Sequence, residues 1–195
     1  MKVLVTGGSG FLGTHIRKFF AATNLSRRAN LDLLNMQDAQ TVENYDVVIH
    51  LAAELDKSPA SAERVFLTNV EGTINILRAM SENSVFIFAS TKDVYGRFAD
   101  TFAEVPETCP TVYSGQSALE WSKLIAERYV EFYAHQRNFR SCIFRLSTVY
   151  AQLTVSAASS GVTGRASAPS LPTQDRKSTR LNSSHLARSR MPSSA

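Results

Sequence analysis

Lys2-Val3-Leu4-Val5-Thr6-Gly7-Gly8-Ser9-Gly10-Phe11-Leu12-Gly13 decides the fold of this chain. Val3 to Val5 is a short, continuously apolar run, the pattern of a strand buried on both faces. The glycines behind it stand at positions 7, 10 and 13, the spacing G-x-x-G-x-x-G. Lacking side chains, Gly7 and Gly10 let the backbone turn sharply and approach a pyrophosphate, and Gly13 lets the next helix pack on the strand. The amphipathic stretch 11–22 reads as that helix, its N-terminus offering unpaired N–H groups and a positive dipole end to phosphate. Strand, glycine turn and helix in this order predict a dinucleotide site contacted by Gly7, Gly10, Phe11, Leu12 and Gly13.

Working outward, strand and helix patterns alternate through residue 150. Strands are expected over 2–6, 46–51, 84–89 and 141–146, and helices over 11–22, 61–80 and 116–134. In the second helix Val65, Thr68, Gly72, Ile76 and Ala79 fall near one face. Alternation of this kind predicts an α/β fold, a Rossmann-type doubly wound and mostly parallel sheet with the glycine turn at the carboxyl ends of its strands. Residues 23–45 are less regular. A second strand should end in an acidic residue, about 20 positions beyond the glycine turn, that binds the adenosine ribose. Asn24 to Arg28 reads instead as a short strand ending in Ser26, Arg27 and Arg28. Asp32 fits either the ribose contact, with Leu33 beside it as a further cofactor contact, or the end of a third strand in Asp32-Leu33-Leu34. An arginine at the ribose favours a 2′-phosphate; a solvated basic turn is the alternative, so both NAD and NADP stand as cofactors.

The formal charge of +4 comes from one end of the chain. Residues 175–195 carry five basic side chains and one acidic, and residues 1–174 carry sixteen of each. A nucleic-acid surface would rest on that tail alone, and none is expected. Every aromatic residue lies at or before Tyr150, and the chain beyond is rich in Ser, Ala, Thr, Pro and Arg. Residues 151–174 are therefore expected to be a disordered or frameshifted linker. Asp175 to His185 and Ser189 to Ala195 match, in order, the translation of the two ends of a sequencing-library adapter. Residues 175–195 are accordingly set aside from fold reasoning as an artefactual, disordered tail. No membrane span or signal peptide is expected, and Cys109 and Cys142 read as reduced thiols of a cytoplasmic protein.

Four further segments share one resemblance: His50-Leu51-Ala52-Ala53, Asn69-Val70-Glu71-Gly72-Thr73, Ser90-Thr91-Lys92-Asp93-Val94-Tyr95-Gly96, and Ser122-Lys123-Leu124 with Glu127. Together with the glycine turn they resemble the extended short-chain dehydrogenase/reductases, the NAD(P)-dependent nucleotide-sugar epimerase/dehydratase family. The resemblance spans residues 1–150 and implies a dinucleotide-binding domain without the family's carboxyl-terminal substrate domain. It implies cofactor contacts from Leu51, Ala52 and Ala53, a ribose contact and pKa control from Lys123, and a hydroxyl from Thr91 on the reacting oxygen.

One position departs from that pattern. The family's tyrosine base stands four residues before the lysine, where this chain has Leu119. Tyr113 is a candidate substitute, or else a surface loop tyrosine. Lys92 occupies one of two positions that are acidic in the family's dehydratases, which argues against water elimination. Asp93 remains a possible general acid or a plain surface carboxylate, Asn69 is expected to be structural, His50 a core residue and His15 a surface one. No metal site is expected. The implied parent is an epimerase or reductase acting on a nucleotide-activated sugar and forming a homodimer, with this chain expected to bind cofactor without turnover. A non-catalytic dinucleotide sensor or scaffold of the same fold is the alternative that Leu119 raises.

Overall fold

A computed structural model of the chain describes residues 1–111 and 117–149. Tyr113 and everything from Tyr150 onward, including the expected linker and tail, lie outside them. Five parallel strands form one sheet in the order β2-β1-β3-β4-β5: β1 Val3–Thr6, β2 Thr23–Leu25, β3 Val47–His50, β4 Val85–Thr91 and β5 Arg140–Leu146. The order reverses at β1, so β2 lies on one side of it and β3, β4 and β5 on the other. That reversal is the switch point of a doubly wound sheet, and the glycine turn leaves β1 there.

Each face of the sheet buries its own core. On one side Leu4, Val48, Phe86 and Phe88 pack with Ile76, Leu77, Ala126 and Val130 from two helices. On the other, Val3, Val5 and Ile49 pack with Ile16 of α1, which runs Phe11–Phe20. β1 is buried along its whole length, as its unbroken apolar run requires. β4 alternates, with Phe86, Phe88 and Ser90 buried and their neighbours half-buried. That alternation reflects one face covered by long helices and the other more thinly.

Helix limits differ from the periodic reading where the backbone needs something the apolar pattern does not encode. α1 stops at Phe20 because Ala21 turns left-handed (φ 50°), and its N–H caps Arg17 O. The single helix expected over 61–80 is three joined pieces: α3 Ala62–Phe66, a wide π turn Leu67–Glu71, and α4 Gly72–Ala79. α4 is buried nearly all round rather than on one face. α5 runs Ala118–Arg137, started by a capping box in which Ser117 and Glu120 bond each other's backbone N–H groups. Around Asp32 there is no strand. Asp32 accepts the N–H of Leu34 and gives its own N–H to Asp38, in a turn leading to a short helix, α2 Met36–Gln40. The strand expected to run to Arg28 ends at Leu25, and Arg27–Ala29 is one 3₁₀ turn.

Candidate functional site

The glycine turn closes on the end of β3. Gly7 has φ +66°, and a Cβ there would sit 2.7 Å from Ala52 N. Gly10 N–H returns to Gly7 O at 2.9 Å, and α1 then starts at Phe11 with no side-chain cap and no acidic residue in its first turn. Its first N–H groups are left for an anion. Leu51, Ala52 and Ala53 follow β3 directly, and Leu51 and Ala52 give their N–H groups to Thr6 O and Thr6 Oγ1. The residues expected to hold a dinucleotide from β1 and β3 are therefore adjacent. Leu33 is not with them by its side chain, which is buried against Gly72 in the core.

Beneath this cradle a buried hydrogen-bond chain fixes the elements to one another. Thr73 Oγ1 donates to Asn69 O at 2.6 Å, so it accepts from His50 Nε2 at 3.0 Å. His50 Nδ1 then accepts from Thr6 Oγ1 at 2.8 Å. His50 is fully buried against Phe86 and Phe88, and burial, followed by the charge of Lys123, pushes its pKa down to about 3. It is a neutral structural histidine, as its sequence context suggested. Asn69 accepts Glu54 N–H and donates to Glu54 O and to Ser122 Oγ, joining the π turn to the loop after β3 and to α5.

Of the catalytic candidates, Tyr113 lies outside the described residues, while Thr91 and Lys123 are placed along the carboxyl-terminal part of β4. Thr91 is its last residue and accepts the Asp93 N–H. Lys123 is buried, its Nζ 2.8 Å from Ala89 O and 4.8 Å from the centre of the Phe88 ring. Its ammonium is thus taken up by a main-chain carbonyl of the sheet and not by solvent. Burial pushes its ammonium down to about 8, with Glu127 working the other way, so Lys123 carries a proton at neutral pH. Leu119, one turn before it, is buried and brings no titratable group.

That shift predicts a pH dependence of stability. The folded value lies below the ordinary 10.5, so between about pH 8 and 10.5 the unfolded chain binds more protons than the folded one. Lys123 thus makes stability rise with pH across that window. Urea midpoints at about pH 7.5 and 10 should show this contribution in the chain and lose it in Lys123→Met; equal slopes in both would contradict it.

A second group is invisible to local sequence motifs. Lys57, in the loop after β3, reaches Glu120 at 2.6 Å and Asp93 at 3.2 Å, while Lys92 pairs with Asp93 at 3.3 Å. Burial works to raise the Asp93 carboxyl, and the bonds from Lys57 and Lys92 outweigh it and hold it below the usual carboxylate range. Asp93 is thus a paired carboxylate with no proton to donate at neutral pH. Residues 36 and 63 positions apart make these contacts, so only the fold could reveal them. The third group is Glu127, which accepts from Ser90 Oγ and from Arg145, itself stacked over Tyr95.

The profile of the NAD dependent epimerase/dehydratase family matches residues 3–170. A UDP-N-acetyl-alpha-D-glucosaminuronate decarboxylase of Bacillus cytotoxicus is 29% identical over 67% of this chain and 48% of its own length. A short-chain dehydrogenase/reductase superfamily protein from Agrobacterium tumefaciens, solved with bound NAD, superimposes with TM-score 0.65 at 26% identity over 74% of this chain and 48% of its own. A Pseudomonas aeruginosa structure complexed with NADPH has TM-score 0.60 and 27% identity, over 73% of this chain and 53% of its own. The chain spans about half the length of the curated relatives it matches. Among the described residues no helix is long and apolar enough to cross a membrane.

Proposed function

The chain belongs to the NAD dependent epimerase/dehydratase family, and from that premise we propose that it forms the NAD- or NADP-binding half of an epimerase or reductase acting on a nucleotide-activated sugar. The observation that carries this reading is the glycine turn closed on Ala52, with Lys123 and Thr91 gathered at the end of β4. A nicotinamide, when bound, supplies the hydride acceptor or donor. Lys123 holds the nicotinamide ribose with a protonated ammonium, and Thr91 bonds the reacting oxygen of the sugar. Tyr113 is the candidate for the proton transfer that Leu119 cannot perform. Asp93, neutralised by two lysines, is suited to binding rather than to acid catalysis, which favours epimerisation or reduction over dehydration. The parent acts as a homodimer, for which exposed Phe66, Leu67, Trp121 and Phe132 offer apolar surface.

Titration of the full chain with NADH and with NADPH should enhance nucleotide fluorescence with saturation, and light scattering of the same samples should give a dimeric mass. Absence of saturation with both nucleotides would end the reading. In the parent protein Leu119→Tyr should raise hydride exchange from a panel of nucleotide sugars by about tenfold. That is less than a fully positioned acid–base group contributes, because the backbone around residue 119 is packed for a leucine and a phenol must fit the space left by a smaller side chain. No gain would favour the non-catalytic sensor instead.

A further inference from the structure

We propose that the carboxyl end of β2 makes this site selective for a 2′-phosphorylated dinucleotide, NADP(H), over NAD(H). The inference rests on the dinucleotide reading above. β2 pairs with β1 in the register Thr6 to Leu25, and Gly7 N–H donates to Leu25 O at 2.9 Å. The residue after β2, Ser26, is thereby set beside the glycine loop, with its Oγ 2.8 Å from Ser9 Oγ. Asn24 Nδ2 donates to that same Ser9 Oγ at 3.0 Å, and Arg28 Nη1 donates to Ser9 O at 3.3 Å. In a doubly wound fold the adenosine ribose lies at this strand end. A carboxylate there grips the ribose hydroxyls and repels a phosphate, whereas arginine accommodates one.

Among the described residues no carboxylate stands at the end of β2. The position holds Ser26, then Arg27 and Arg28 in an exposed 3₁₀ turn. The nearest acidic residues downstream are engaged locally, Asp32 on the N–H of Leu34 and Asp38 on the N–H of Asp32. On the other side of the loop Arg17 lies against Gly8, with Nη1 3.4 Å from Gly8 O. Among the described residues none of Arg17, Arg27 and Arg28 pairs with a carboxylate, and the bonds of Arg17 and Arg28 go to backbone carbonyls of the glycine loop. Three guanidinium groups with no carboxylate partner among the described residues make a field around this turn that an anion relieves. A ribose 2′-phosphate would take charge-assisted bonds from the exposed arginines and a bond from the Ser26 hydroxyl. A plain 2′-hydroxyl offers those cations no charge.

The test compares NADPH with NADH by fluorescence titration of the full chain, and 2′,5′-ADP with 5′-AMP by calorimetry. NADPH should bind about tenfold tighter or better, with the advantage shrinking as salt is raised. Arg27→Ser/Arg28→Ser should cost NADPH about that same factor, far more than it costs NADH, and Ser26→Asp should reverse the preference. NADH binding as well as or better than NADPH overturns the selectivity and leaves the dinucleotide reading standing, as does a double variant that keeps the preference. Failure of both nucleotides to bind overturns the dinucleotide reading and the selectivity with it.

Discussion

Gly13→Ala is expected to cost about 3 kcal/mol of stability and to abolish measurable dinucleotide binding. A methyl group at residue 13 would lie 2.4 Å from Gly7 O and 2.6 Å from Gly8 Cα. Both neighbours are backbone, so no rotamer change can make room. Relief requires moving the glycine loop away from α1. Gly7 cannot follow freely, because its own Cα hydrogen faces Ala52 N and Cα at the end of β3. The loop would therefore break the Gly10 to Gly7 turn or lift α1 from the sheet. Either movement displaces the N–H groups of the first helical turn from the phosphates they are proposed to bind. Thermal melts read the first effect and NADPH or NADH titration the second. A variant that melts like the parent chain and binds normally would show that the loop tolerates what its geometry forbids.

How much of this was legible beforehand depended on the range of the interaction. The β1–glycine–α1 unit could be read because its constraints lie within thirteen residues. β3, β4, β5 and α5 could be read because apolar periodicity reports burial directly. Residues 23–45 could not, since a three-residue strand and a five-residue helix are too short to carry a period. Their turns are set instead by side-chain bonds from Asp32, Asn35 and Asp38. Nor does any pattern announce the π turn at Leu67–Glu71, whose register is bound up with Asn69 reaching both Glu54 and Ser122. Lys123 shows the same limit in the site. An i, i+4 pair with Glu127 reads as a surface ion pair, but α5 turns that face to the sheet, where Ala89 O takes the lysine and Arg145 takes the glutamate.

That last arrangement supports the second large effect, a loss of about 3–5 kcal/mol in Glu127→Ala. Glu127 is 1% exposed and accepts from Ser90 Oγ at 2.5 Å and from Arg145 Nη2 at 2.7 Å. Hydrogen bonding to Glu127 is the largest cause raising the Arg145 guanidinium above its usual range. Removing the carboxylate leaves a largely buried cation and a buried hydroxyl without their acceptor. The cation cannot escape by losing its proton. The attraction between the pair need not exceed the cost of desolvating it, so the loss measures the orphaned arginine more than the worth of the bridge. The double variant Glu127→Ala/Arg145→Met should accordingly recover a good part of the stability, and a double-mutant cycle in urea would read the coupling. The effect extends to the cofactor site through Lys123, whose ammonium Glu127 holds up against burial. Without that charge Lys123 should lose its proton at lower pH, and dinucleotide affinity should fall off earlier as pH rises. A double variant no more stable than Glu127→Ala, together with an unmoved pH profile, would show that Glu127 neither balances Arg145 nor sets the charge of Lys123.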